Sequence, residues 1–101
     1  MGRTFFISRG LPEEATQILV NLGKNFALAR KKRRLTMEMV AERVQVSRLT
    51  ISKIEKGNAN VSIGAIMGYA YILGLEQDFR HVIDPATDAV GLALDRDRLN
   101  V

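Results

Sequence analysis

The sequence predicts an all-α fold: a bundle of four to five helices with an N-terminal arm and a C-terminal tail. Three observations carry this expectation. Two prolines and eight glycines among 101 residues suit long helices better than a turn-rich β architecture. A hydroxyl residue precedes each of three apolar segments, at Thr36, Ser47 and Ser62, where a helix start needs an oxygen to accept from its free amides. Hydrophobic residues make up 47% and charged residues 26%, enough apolar surface for one core and unlike a disordered chain. The expected organisation is an arm over residues 1–11, a helical domain over 12–83 and an acidic tail over 84–101.

The elements follow in order. "TFFIS" (residues 4–8) is apolar and β-prone but too isolated to form a sheet within one chain. The first helix opens at Pro12, a residue tolerated in a first turn, with Glu13 and Glu14 at its positive end. Ile18, Leu19, Leu22, Phe26 and Ala29 recur at helical spacing, carrying it to about Arg33, with Gly23 a point where it bends or divides. Arg30 to Arg34 then occupy its last turn, where the helix dipole favours cations. Thr36 caps a second helix that buries Met39, Val40, Ala41 and Val44. Ser47 caps a third, with Ile51 and Ile54 inward and Gly57 as its stop. Ser62 caps a fourth, in which Ile63, Ile66, Met67, Ala70 and Leu73 form the apolar face before Gly74; Gly64 and Gly68 allow close approach of another helix. A short fifth helix covers Gln77 to Ile83. After Asp84-Pro85 the tail is open between a helix capped by Asp84 and an extended "VGLAL".

Composition also excludes functions. With no cysteine there are no disulfides, thiolate zinc sites or cysteine nucleophiles. The uncharged run from Val61 to Leu75 is shorter than the roughly 20 residues of a membrane span. The opening residues are too short an apolar run for a secretory signal. The expectation is a cytoplasmic protein with no membrane association. His81 stands alone, Asp95 and Asp97 alternate with Arg96 and Arg98 as a solvated face would, and no metal or phosphate-loop spacing occurs. Neither an enzyme nor a metal or cofactor site is expected.

Charge is unevenly placed. Between Lys24 and Lys56 stand ten bases against three acids, Glu38, Glu42 and Glu55, whereas from Glu76 onward six acids face three bases. A basic middle of this kind fits a polyanion-binding surface, and equally a solvated helix face.

The motif separates the two. The helix from Thr36 to Val44, the turn at Gln45-Val46 and the helix from Ser47 form a compact pair. In it a small residue, Ala41, faces a β-branched one, Ile51. The turn needs φ > 0, which costs Gln45 on the order of 1 kcal/mol relative to glycine. From Leu22 to Leu75, "ALARKKRRLT", "VAERVQVSRLTISKIEKG", the "NVS" that opens the next helix and the "LG" that closes it together resemble the Xre family of helix-turn-helix regulators, with the lambda-repressor-like fold. Two positions depart from the family: Met37 replaces a glutamine that touches a DNA phosphate, and Gln45 replaces the turn glycine.

The resemblance implies that residues 12–83 are a DNA-binding domain and that the helix starting at Ser47 lies in the major groove of double-stranded DNA. Base contacts then fall to Arg48, Leu49, Ser52 and Lys53. Arginine and lysine match guanine O6 and N7, and leucine matches a thymine methyl. Phosphate contacts fall to Lys31, Lys32, Arg43, Ser47, Thr50, Asn58 and Asn60. The implied function is a repressor acting as a homodimer on an operator. The tail "DPATDAVGLALDRDRL" is similar to the segment after the DNA-binding domain in antitoxins paired with Hip-type kinase toxins. The alternative it implies is an antitoxin-like adaptor that binds a toxin kinase.

Overall fold

The computed structural model describes Arg3 and residues 10–99. The apolar arm segment 4–8 lies outside the described residues. Five α-helices are present among them, with no strand: α1 (Glu13–Lys32), α2 (Met37–Val44), α3 (Arg48–Glu55), α4 (Ile63–Leu73) and α5 (Ala89–Leu99), with 3-10 turns at Glu76–Phe79 and Pro85–Thr87. The all-α expectation holds.

The three hydroxyl caps form. Thr36, Ser47 and Ser62 accept from the amides of Met39, Thr50 and Ala65, each at 3.1 Å. The helix ends share a second device. In each of α1 to α4, a residue in the left-handed region follows the last turn, and the next amide reaches back to the carbonyl five residues earlier. These bonds are Leu35 to Arg30, Val46 to Ala41, Asn58 to Lys53 and Leu75 to Ala70, at 2.8 to 3.2 Å. The left-handed residues are Arg34, Gln45, Gly57 and Gly74. Glycine makes two of these ends visible in the sequence, but Arg34 gives no such signal.

α1 is undivided, and Gly23 does not break it. It is buried at the crossing with α3, where an added Cβ would lie 2.5 Å from the Glu55 carbonyl oxygen and 2.6 Å from that of Ile54. Gly57 meets α1 from the other side; its Cβ would lie 2.7 Å from Val20 Cα. An added Cβ at Gly68 would likewise lie 2.9 Å from Val44 Cγ1, whereas at Gly64 it would meet only Ser62 Oγ at 3.9 Å, an ordinary contact within its own helix start.

The core comprises Phe26, Val40, Ala41, Ile51, Ile54, Ala65, Tyr69, Ala70 and Leu73. Several expected core positions lie outside it. Ile18, Met39, Ile63 and Met67 are exposed. The run in α4 is apolar all round, so spacing could not choose its inward face. Tyr69 chooses it, because its hydroxyl must reach Glu55 inside the bundle. In α2, Val40 and Ala41 take the inward side and turn Met39 out. Met37 packs partly buried against the core. Beyond α4, Phe79 tucks against the core in a 3-10 turn, and no α-helix spans Gln77 to Ile83. Ile83 is left-handed at φ 57°, and Asp84 before Pro85 is extended, as that position requires. Asp84 caps only the 3-10 turn through the Ala86 amide, while Asp88 accepts from Gly91 at the start of α5. The tail is therefore helical, not extended. Among the described residues it packs on the Pro85–Thr87 turn and on none of the other α-helices.

One polar network sits inside. Arg30 donates from Nε to Glu55 Oε2 at 2.7 Å, from Nη2 to Glu55 Oε1 at 3.0 Å and from Nη1 to the Leu35 carbonyl at 3.0 Å. The Tyr69 hydroxyl donates to Glu55 Oε2 at 2.7 Å, and its ring packs on Phe26 with centroids 4.6 Å apart. Arg30 was expected as a dipole-favoured surface cation; its side chain is only 9% exposed. Arg33 does serve carbonyls, donating to Leu73 and Ala29.

Burial pushes the Glu55 carboxyl up, but hydrogen bonds from Arg30 and Tyr69 more than offset this and hold it below the usual range. A folded-state value below the unfolded one, about 4.3, gives stabilisation that is complete above that pH and lost as pH falls through the folded value. Thermal melts should therefore show the midpoint dropping below about pH 4, and Glu55→Gln should flatten that drop while lowering stability at neutral pH. Arg30→Ala should cost about 3–5 kcal/mol in urea unfolding, because Glu55 is left charged and unpaired. Wild-type stability in Arg30→Ala would show the pair to be dispensable.

Candidate nucleic-acid interface

α2 and α3 pack at Val40, Ala41 and Ile51, all buried. The chain between them turns in three residues, Gln45 to Ser47, with Gln45 at φ 62°, ψ 47°. This short turn points the N-terminus of α3 outward. With Ile51 and Ile54 locked into the core, the opposite side of α3 must face solvent. Leu49 and Lys53 are exposed there and Ser52 is half-buried, while Arg48 is exposed at the first position of the helix, flanking this side. Leu49, a large apolar side chain, is 62% exposed.

Hydroxyls line the helix start. Ser47 Oγ accepts from the Thr50 amide and lies 3.0 Å from Thr50 Oγ1. Two hydroxyls that share one hydrogen leave the other hydrogen free to donate outward, beside the positive end of the helix dipole. Past the far end of α3, Asn58 Oδ1 accepts from the Asn60 amide at 2.7 Å, which leaves the Asn58 amide group as a donor. Both asparagines are exposed, as are Lys31, Lys32 and Arg43. Lys31 lies close enough to Glu55, at the end of α3, to lower its carboxyl. Arg43 stands instead in the last turn of α2.

One acidic residue enters this surface that the sequence reading did not single out. Arg48 Nε lies 2.7 Å from Glu38 Oε1, with the two side chains 61% and 65% exposed. A hydrogen bond with its own backbone and then the Arg48 guanidinium hold the Glu38 carboxyl below its ordinary range. Glu38 reads in the sequence as an ordinary acid of a first helical turn. Only the folded turn carries it across to α3.

Among the described residues no helix is long and apolar enough to cross a membrane. A family model described as helix-turn-helix matches residues 26–76, which spans α2, α3, α4 and the last two turns of α1. No curated protein and no solved structure matches the chain.

The turn itself is testable. Glycine adopts the conformation of Gln45 without the 1–2 kcal/mol that a side chain pays there. Gln45→Gly should stabilise the fold by about 1 kcal/mol, raising the melting midpoint by roughly 4–8 °C. A lowered midpoint would mean that the side chain of Gln45 supports the turn instead of straining it.

Proposed function

The chain belongs to the helix-turn-helix family, and from that premise we propose that it is a sequence-specific DNA-binding regulator of transcription, a repressor that reads its operator with α3. The observation that carries this reading is the combination of a locked inner side of α3 with exposed Arg48 and Leu49 in its first turn and exposed Lys53 in its last. Arg48 and Lys53 serve guanine acceptors, Leu49 a thymine methyl, and Ser52 the edge of a neighbouring base. Ser47, Thr50, Asn58, Lys31, Lys32 and Arg43 hold the phosphates, with Asn60 beside them. Met37, partly buried, supplies no such contact. Such a regulator acts in the cytoplasm, on double-stranded DNA. An antitoxin-like adaptor for a kinase toxin would draw on α5 alone and has no use for bases at the exposed positions of α3, which favours the DNA reading.

A single helix contacts too few base pairs to pick one site among the roughly 10⁶ or more competitors of a genome. We infer a homodimer on two half-sites about one helical turn, ~34 Å, apart. What supports it is α5, whose Val90, Leu92, Leu94 and Leu99 are exposed and which packs against no other α-helix among the described residues.

Two experiments follow. Arg48→Ala should cost roughly 1–3 kcal/mol on a selected duplex and relax the preference at one base pair, while Lys31→Ala should weaken all duplexes alike and lower the salt slope by about 1. Equal losses on selected and scrambled duplex for Arg48→Ala would show that it reads no base. Sedimentation of the full chain should give a dimer, and removing residues 84–101 a monomer. A full chain that stays monomeric at tens of micromolar, free and on DNA, would rule out the dimer.

A further inference from the structure

The ion pair between Glu38 and Arg48 is not needed for stability. Both side chains are well exposed, and an exposed pair contributes little to folding. Its position is the unusual feature. It places a carboxylate at the N-terminal end of α3, on the surface that otherwise gathers hydroxyls, amide donors and bases, and it occupies the residue best suited to read guanine.

We propose that Glu38 is a specificity-determining residue that withholds Arg48 from DNA phosphates and releases it only to a base edge with two acceptors; this rests on the DNA-binding reading above. An unpaired Arg48 would contact any phosphate within reach, so it would add affinity for every sequence and selectivity for none. Beside Glu38 its charge is already neutralised, and a single phosphate offers little that the carboxylate does not. Guanine offers something different: O6 and N7 together accept two hydrogen bonds from one guanidinium. Nε is the guanidinium atom nearest Glu38, and no hydrogen bond to the protein holds Nη1 or Nη2 among the described residues. Those two nitrogens remain for the base. The acid is also repelled by phosphates itself, which further penalises a misplaced complex.

Glu38 has a simpler explanation, as an acid in the first turn of α2, where the helix dipole favours one. Glu42 is a control for it, being an exposed acid on the same helix with no ion pair to α3.

The test uses the full chain and a pool of duplexes with a randomised centre. The pool is selected with the wild type, and affinities are then measured on the most enriched duplex and on a scrambled one. Glu38→Gln should tighten binding to the scrambled duplex by roughly five- to tenfold and raise its salt slope by about 1, as one further phosphate contact does. The enriched duplex should change less than about twofold, so the selectivity ratio falls by the same factor. In an Arg48→Ala background the substitution should lose this effect, and Glu42→Gln should not reproduce it. Three results would overturn the proposal: equal tightening on both duplexes, tightening that survives in Arg48→Ala, or the same gain from Glu42→Gln. A wild type that enriches no duplex would instead fail the DNA-binding reading itself, before Glu38 is in question.

Discussion

The structure depends on the bidentate contact between Arg30 and Glu55. Each charge alone would be expensive to bury, and the pair repays that cost only because every donor and acceptor around it is matched. Arg30 spends its third nitrogen on the Leu35 carbonyl, and Glu55 takes a further bond from Tyr69. No buried side-chain polar atom among the described residues lacks a partner. Through these groups, one polar cluster connects α1, the turn after it, α3 and α4. An apolar core of this size could slide by a turn without losing much burial. A fork of two nitrogens on two oxygens cannot slide, so it sets the register of α3 on α1 and α4. The outward positions of α3 follow from that register.

The register also explains the glycines. α1 and α3 approach so closely that backbone meets backbone at Gly23 and Gly57, a separation that no larger side chain permits. That approach brings Arg30, seven residues or two helical turns beyond Gly23, level with Glu55 at the end of α3. Small residues and the ion pair are thus two halves of one arrangement: the glycines set the distance, and the charged fork sets the position along it.

The fold was legible in the sequence wherever a local rule operates. Thr36, Ser47 and Ser62 announce helix starts because capping needs only one oxygen at one place, and Gly57 and Gly74 announce ends because the left-handed turn favours glycine. Arg34 hides the same turn behind a side chain that merely tolerates it. Spacing alone turns Ile51 and Ile54 inward, and the family resemblance turns Leu49 outward. Spacing failed in α4, where Ile63 and Met67 are as apolar as Ala65 and Leu73 and carry no directional information. A signal for Arg30 did exist: it falls in register with Gly23 and Phe26 on the inward stripe of α1, where a charge is out of place unless paired. The run of five bases masked it. The pairing of Glu38 with Arg48 was not legible, since nothing in a ten-residue separation shows which side chains the turn will bring together.

These pairs change how the basic middle of the chain should be read. Of its ten bases, Arg30 is neutralised inside the protein and Arg48 is held by Glu38. The remaining Lys24, Lys31, Lys32, Arg33, Arg34, Arg43, Lys53 and Lys56 have no carboxylate partner within 4 Å among the described residues, and against them stands only Glu42. The surplus of positive charge is therefore carried almost wholly by residues other than Arg48, the one proposed to read a base. Long-range attraction, which fades over a screening length of about 8 Å at physiological salt, comes from the many unpaired bases. Under the proposed reading, discrimination comes at contact, from a residue whose charge is already answered. Under the proposed DNA-binding reading, the acids of residues 76–99 act in the opposite sense, because the same phosphates repel them.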